Sequence, residues 1–160
     1  MKHEAILTLP GGEWTIIIED DELTSCRHGV STQGLSAVPG NHPILRALRA
    51  YADGDLLALD EIPVAQPGGE FHTAVREAMR RIPPGDTVSY SELAAMAGRP
   101  AAARAAAGAC ARNAVAIVVP CHRVIRGDGG LGGYAHGLDV KRALLAFERE
   151  HAGENPGRGF

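Results

Sequence analysis

Between Asp60 and Gly69 the chain reads Asp-Glu-Ile-Pro-Val-Ala-Gln-Pro-Gly-Gly, a stretch that neither a continuous helix nor an interior strand can cross. Each proline removes a backbone donor, and the glycine pair is costly to order inside any regular element. The patterns on its two sides differ. Residues before it alternate loosely between apolar and polar, whereas those after it repeat at helical spacing. Charge changes sign at the same place: residues 1–70 carry 4 Lys+Arg against 11 Asp+Glu, and residues 71–160 carry 12 against 8. A chain of 160 residues has room for two small units. The expected architecture is α+β, with an N-terminal α/β support unit over 1–69 that includes the linker and a mainly helical unit over 70–160.

In the first unit, Ala5-Ile6-Leu7-Thr8-Leu9, Pro10-Gly11-Gly12 and Trp14-Thr15-Ile16-Ile17-Ile18 predict a β-hairpin, followed by an acidic turn at Glu19-Asp20-Asp21-Glu22. Asn41-His42-Pro43 opens a helix carrying Ile44, Leu45, Leu48 and Tyr51, which Asp53-Gly54 closes. In the second unit, Phe71, Val75, Met79 and Ile82 mark one face of a helix that ends at Pro83-Pro84-Gly85. Ser89-Tyr90-Ser91-Glu92 has the form of a capping box for a short helix stopping at Gly98. An alanine-rich helix follows from Ala101 to about Ala111, and two short helices about a glycine turn have the form of a helix-turn-helix. Its small side chains suit close approach, either to another helix or to a DNA groove. Ile117-Val118-Val119 predicts a short buried strand, a glycine-rich loop follows, and a last helix starts near Asp139. From Gly153 onward the composition predicts a frayed tail.

Cys121-His122 places a nucleophile beside a potential base at the end of an apolar run. The thiolate attacks, so a base, a cation or a helix N-terminus must favour it. A buried structural cysteine is the commoner occupant of such a place, and the pair alone leaves both readings open. Cys26 and Cys110 have weaker claims. Cys26-x-His28 is a two-residue ligand pair that nothing nearby completes, so no metal site is expected. Gly127-Asp-Gly129-Gly-Leu-Gly132 matches a dinucleotide fingerprint but opens no helix, so it is rejected. Of the 12 basic residues after the linker, 11 are arginine, the side chain suited to forked phosphate contacts. An uneven solvated surface would have the same composition.

From Phe71 to about Glu150 the chain resembles the C-terminal domain of the O6-alkylguanine-DNA alkyltransferases (methylated-DNA–protein-cysteine methyltransferases). The resemblance rests on Val-Ser-Tyr90-Ser-Glu-Leu-Ala, Ala-Ala-Arg104-Ala, Arg-Asn113-Ala-Val-Ala-Ile, Pro-Cys121-His122-Arg-Val-Ile, Gly-Gly-Tyr134 and Lys141-Arg-Ala-Leu-Leu-Ala-Phe-Glu148, in that order. It implies a ribonuclease H-like N-terminal domain and a single-turnover transfer of the alkyl group from O6-alkylguanine, with O4-alkylthymine a further candidate substrate. Cys121 would be the acceptor, His122 its base through a water, Glu148 the acid orienting His122, and Asn113 the brace of the active-site loop. Tyr90, Ser91, Arg104 and Arg123 would contact DNA, with Arg104 filling the stack vacated by a flipped base. Tyr90, Val124, Tyr134, Ala135 and His136 would line the guanine pocket, and Lys141 is either functional or simply exposed. The departures are Ala114 and Ala116 where prolines are common, Ala107 and His136 for frequent glycines, and Arg76 at a place often apolar. Those at 114, 116 and 136 border the pocket and bear on the alkyl size admitted.

The partner implied is double-stranded DNA carrying O6-alkylguanine, with no cofactor and no obligate protein partner, and a monomer is expected. With neither an apolar run of spanning length nor a secretory pattern, a cytoplasmic, membrane-free protein is expected. A lesion-sensing relative would share Arg104 and Tyr90 but lack the nucleophile. A thiol hydrolase or redox enzyme would use Cys121-His122 without Arg104.

Overall fold

The computed structural model describes residues 1–154, so most of the tail expected to fray lies outside the described residues; Ala152–Glu154 form a single 3-10 turn. The fold is mixed α+β. β1 (Lys2–Leu9) and β2 (Gly12–Glu19) form the expected hairpin, with Leu9 opposite Gly12 and only Pro10 and Gly11 between them. Gly11 has φ +91°, which suits the second central position of a turn led by proline. At the acidic turn, Asp20 and Asp21 both have positive φ, the hairpin geometry that matches strand twist and that aspartate tolerates. The chain therefore reverses into β3 (Glu22–His28), a strand the sequence pattern did not reveal. The sheet has order β3-β2-β1-β4, where β4 (Ser36–Ala37) is a two-residue strand parallel to β1.

Central β2 is buried from Trp14 to Ile18, which accounts for its unbroken β-branched run. The first helix, α1 (Pro43–Ala52), takes His42 as its N-cap, the imidazole accepting from the Ile44 N–H, and buries Ile44, Leu45, Leu48 and Tyr51. A 3-10 turn at Leu56–Glu61 leads into the linker. The linker does not cross open space. The Leu23 N–H donates to Pro63 O and the Ala65 N–H to Leu23 O, so residues 63–65 lie along the outer edge of β3. Farther along the same edge, the Cys26 N–H donates to Ala114 O and the Ala116 N–H to Cys26 O. One apolar core runs from Trp14 and Ile16 through Val75 and Met79 to Leu144.

Beyond the linker come α2 (Glu70–Arg80), a two-residue parallel pair of β5 (Val88–Ser89) with β6 (Val124–Ile125), α3 (Tyr90–Met96), α4 (Ala103–Ala111) and α5 (Leu138–His151). The capping box forms as read: the Glu92 N–H donates to Ser89 Oγ, and the Ser89 N–H to Glu92 Oε1. Gly98, at φ +89°, turns the chain out of α3. Ala106 and Ala109 let α4 pack flat on the core. No helix among the described residues is long and apolar enough to cross a membrane.

Candidate active site

Cys121 is carried by a buried turn and not by the strand its apolar flank suggested. Residues 115–119 are fully buried, but Ile117 has φ +70°, a conformation rare for a β-branched residue, and Val115 alone makes a β-bridge, to Cys26. The apolar run is explained by burial on all sides. Asn113 holds the turn together. Its Nδ2 donates to Val119 O at 2.8 Å and to the Cys121 Sγ at 3.3 Å, and its Oδ1 accepts from the Val115 N–H at 3.2 Å. Burial pushes the Cys121 thiol up, while the Asn113 amide, the Lys141 charge and a backbone hydrogen bond pull it back in part.

His122 follows in the single 3-10 turn Cys121–Arg123 and is fully buried. Its Nε2 lies 2.8 Å from Glu148 Oε2, whereas Nδ1 has no hydrogen-bond partner among the described residues. The ring therefore carries its proton on Nε2 and leaves Nδ1 free to accept one. Glu148, fully buried on α5, also receives Arg123 Nε on Oε1 at 2.8 Å, and Arg123 Nη2 and the Tyr51 hydroxyl on Oε2 at 2.9 and 2.7 Å. Arg123, expected at DNA, is thus turned inward. A buried carboxylate needs a paired cation, and the guanidinium supplies it while its Nη1 satisfies Ile82 O, so the buried head is committed inward and away from any phosphate.

Burial alone would raise the Glu148 carboxyl, but His122 and Arg123 more than offset it and hold it well below the usual carboxylate range. Burial pushes His122 below its ordinary 6.5, against the opposing pull of Glu148. Both shifts act in one direction on stability. The unfolded chain takes up a proton at His122 as the pH drops through about 6.5, and at Glu148 below about 4.3, while the fold resists both. Stability is therefore full above that first value and falls on acidification. Thermal melts should give a lower midpoint at pH 5 than at pH 7.5, and a midpoint that rises would contradict a buried neutral His122.

Beside Cys121 lies a cavity of about 400 Å³, lined by Tyr90 of α3, Ala107 and Cys110 of α4, and Tyr134, Ala135 and His136 of the segment before α5. Asn113 and Cys121 also line it. The expected pocket residues gather there except Val124, whose side chain is fully buried behind the wall, as befits β6 pairing with β5. Lys141 is not exposed either. It is fully buried, and its ammonium donates to Val124 O, Leu131 O and Gly133 O at 2.7, 2.5 and 3.2 Å, tying the glycine loop to β6. Gly132 (φ +72°) faces Tyr90 so closely that a Cβ would stand 3.0 Å from the hydroxyl, so this position accepts no side chain without strain. His136 packs on Trp14 and Tyr134, with ring centroids 5.4 and 5.2 Å away, and its Nδ1 accepts from the His28 N–H at 3.4 Å. The N-terminal sheet thereby props one pocket wall.

Cys110 shares the cavity, half-buried on α4 with its thiol directed at Met79 Sδ at 3.7 Å, and burial pushes its pKa up to about 12. It is the weaker nucleophile of the two. Cys26 is fully buried in β3, where burial raises it further still. Tyr90 opens α3 and Ser91 follows it, exposed. Arg104 is exposed on α4, three residues before Ala107 and seven before Ala111, so it stands on the stripe that leads into the cavity. Gln66 reaches the site from the linker and Tyr51 from α1, and nothing in their local sequence marked either as more than linker and core.

Three kinds of similarity accompany this geometry. Residues 70–150 match the family model described as 6-O-methylguanine DNA methyltransferase, DNA binding domain. A methylated-DNA–protein-cysteine methyltransferase of Methanosarcina acetivorans is 48% identical over 103 residues, 64% of this chain and 65% of that protein. One of Mycolicibacterium paratuberculosis is 50% identical over 105 residues, 66% of this chain and 63% of that protein. The matched stretch thus spans just under two thirds of these relatives. Among solved structures, the Mycobacterium tuberculosis O6-methylguanine methyltransferase superposes with TM-score 0.80 at 34% identity over 94% of both chains. The same organism's OGT in complex with DNA gives 0.78 at 34% identity, over 93% of this chain and 94% of that one.

Proposed function

Since the chain belongs to the 6-O-methylguanine DNA methyltransferase family, we propose that it repairs O6-alkylguanine in duplex DNA by moving the alkyl group to Cys121 in a single turnover. The observation that carries this reading is a thiol at the floor of a nucleobase-sized cavity, beside an imidazole whose free Nδ1 is backed by a buried carboxylate. His122 Nδ1 takes the Cys121 proton through a water, and Glu148 stabilises the imidazolium that results. The thiolate attacks the alkyl carbon, a carbon–sulfur bond forms, and the bond to guanine O6 breaks. The O6 leaves with the electron pair, the Ala135 backbone N–H stabilises it, and the proton held by the imidazolium returns through water to the purine, giving guanine and a neutral His122. The thioether has no neighbour able to hydrolyse it, so each molecule works once.

We read α3, the Gly98 turn and α4 as a helix-turn-helix that enters the minor groove. Tyr90 and Ser91 approach the backbone, and Arg104 replaces the flipped base in the stack. The base-flipping step is needed because an O6-alkyl carbon inside a duplex cannot reach a thiol 8% exposed. Residues 1–69 are read as a ribonuclease H-like support unit and 70–160 as the DNA-binding and transfer unit. The working form is a cytoplasmic monomer whose partner is lesion-bearing DNA, with O4-alkylthymine a further candidate substrate.

With excess O6-methylguanine duplex, restored guanine should plateau at one equivalent per protein. Continued turnover would point to a hydrolase, and tight binding without repair to a lesion sensor. Arg104→Ala should slow repair of duplex about a hundredfold, the worth of a few kcal/mol of lost flipping stabilisation, and leave reaction with free O6-methylguanine nearly unchanged. Equal slowing on both substrates would remove Arg104 from the flipping step.

A further inference from the structure

We propose that Gln66, in the linker, is a positioning residue that orients the Asn113 amide so that its N–H, and not its oxygen, faces the Cys121 sulfur. The edge of β3 makes the contact possible. Leu23 pairs with residues 63–65 and Cys26 with 114–116, so the linker and the Asn113 loop run side by side along one strand and Gln66 arrives next to Ala114. Arg76 pins the linker there, its Nη2 donating to Pro67 O at 2.6 Å and its Nη1 to Gln66 O at 3.3 Å.

The orientation of both amides follows from backbone groups, which cannot exchange donor and acceptor roles. The Ala114 N–H can only donate, and it meets the Gln66 side chain at 2.9 Å, so the atom there is Oε1. Gln66 Nε2 must then face Asn113, where it donates to Oδ1 at 2.8 Å. The Val115 N–H donates to the same Oδ1 at 3.2 Å. With its oxygen held from two sides, Asn113 presents Nδ2 to Val119 O and to Cys121 Sγ. A turned amide would place an oxygen against the sulfur and oppose the thiolate. Ala114 is itself part of the device, because a proline at that position would have no N–H to give Gln66.

The proposal rests on the alkyl-transfer reading only for its effect on repair. Its primary readout is the reactivity of the thiol. Cys121 alkylation by iodoacetamide, located by peptide mass, is followed against pH in the wild-type chain and in Gln66→Glu and Gln66→Leu, with folding checked by circular dichroism. In Gln66→Glu the carboxylate still accepts from Ala114 but sets an oxygen against Asn113 Oδ1 in place of a donor, and this repulsion drives the amide out of the orientation that the Val115 N–H and Val119 O support. The pH midpoint of alkylation should move up, and the rate at pH 7.5 should fall about tenfold or more, the scale of one hydrogen bond to a charged group. Gln66→Leu, which leaves Asn113 free, should move the midpoint in the same direction by less, and it carries the test if Gln66→Glu does not fold. In an Asn113→Ala background, Gln66→Glu should add nothing. Wild-type midpoints in both folded variants, or effects that add in the Asn113→Ala background, would overturn the proposal. A wild-type chain that takes up no methyl from DNA would instead overturn the transfer reading and leave the thiol result standing.

Discussion

Glu148→Leu should destabilise the chain by about 3–5 kcal/mol, enough to remove much of the 5–15 kcal/mol that holds a typical domain folded. The size of the effect comes from what is left behind. Glu148 accepts from His122, from Arg123 twice and from Tyr51, and every one of these groups is buried. Without the carboxylate, Arg123 becomes an unpaired cation 5% exposed, and the Tyr51 hydroxyl and His122 Nε2 lose their acceptor. Glu148→Leu combined with Arg123→Met should cost less than the sum of the two single changes, because the double change removes the orphaned charge. Urea unfolding followed by circular dichroism measures both. Independent, additive costs would mean that the Arg123 pairing contributes little.

Cys121→Ser should reduce methyl uptake at least about a thousandfold while leaving DNA binding in place. A serine hydroxyl stays protonated where a thiol can ionise, and the proposed transfer through His122 needs a nucleophile that ionises, with the Asn113 amide set 3.3 Å from the sulfur. Binding is spared because Cys121 is 8% exposed, whereas Tyr90, Ser91 and Arg104 lie nearer the surface. Cys110 should not substitute for it, although it shares the cavity. Burial holds that thiol near pKa 12, no base stands next to it in the chain, and its contact is with Met79. A gel-shift measurement on lesion-bearing duplex, paired with a methyl-uptake assay, separates the two effects.

Where chain-local patterns decide structure, the sequence was informative. The hairpin at Pro10-Gly11, the helix opened by His42-Pro43 and the Ser89–Glu92 capping box all formed where their residues predict. β3 was missed because Glu-Leu-Thr-Ser-Cys-Arg-His buries only Leu23 and Cys26, three apart, a spacing that hides the period of two. A bulge in its pairing with β2, between Ile17 and Ile18, is the physical cause. Ile117-Val118-Val119 suggested a strand because burial and β-branching mimic one, yet φ +70° at Ile117 makes it a turn.

The site divides along the same line. Cys121, His122, Glu148 and Asn113 could be named from the ordered motifs, and they lie together. Arg123 and Lys141 could not be placed, since a cation in a motif reads the same whether it faces phosphate or is folded onto carboxylate and carbonyl groups. Their direction is set by α5, which brings Glu148 and Lys141 under the Cys121 turn. Tyr51 and Gln66 were illegible for a different reason. Each is separated from its partner by many residues, 97 between Tyr51 and Glu148 and 47 between Gln66 and Asn113, and only the shared edge of β3 and the single core bring them in.

The central claim is that Cys121 keeps the alkyl group, and intact-protein mass spectrometry after incubation with excess O6-methylguanine duplex tests it most directly. The account predicts a single gain of about 14 Da, methyl replacing a proton, confined to the peptide containing Cys121 and absent in Cys121→Ser. An unchanged mass, or a methyl found on Cys110 or Cys26, would contradict it.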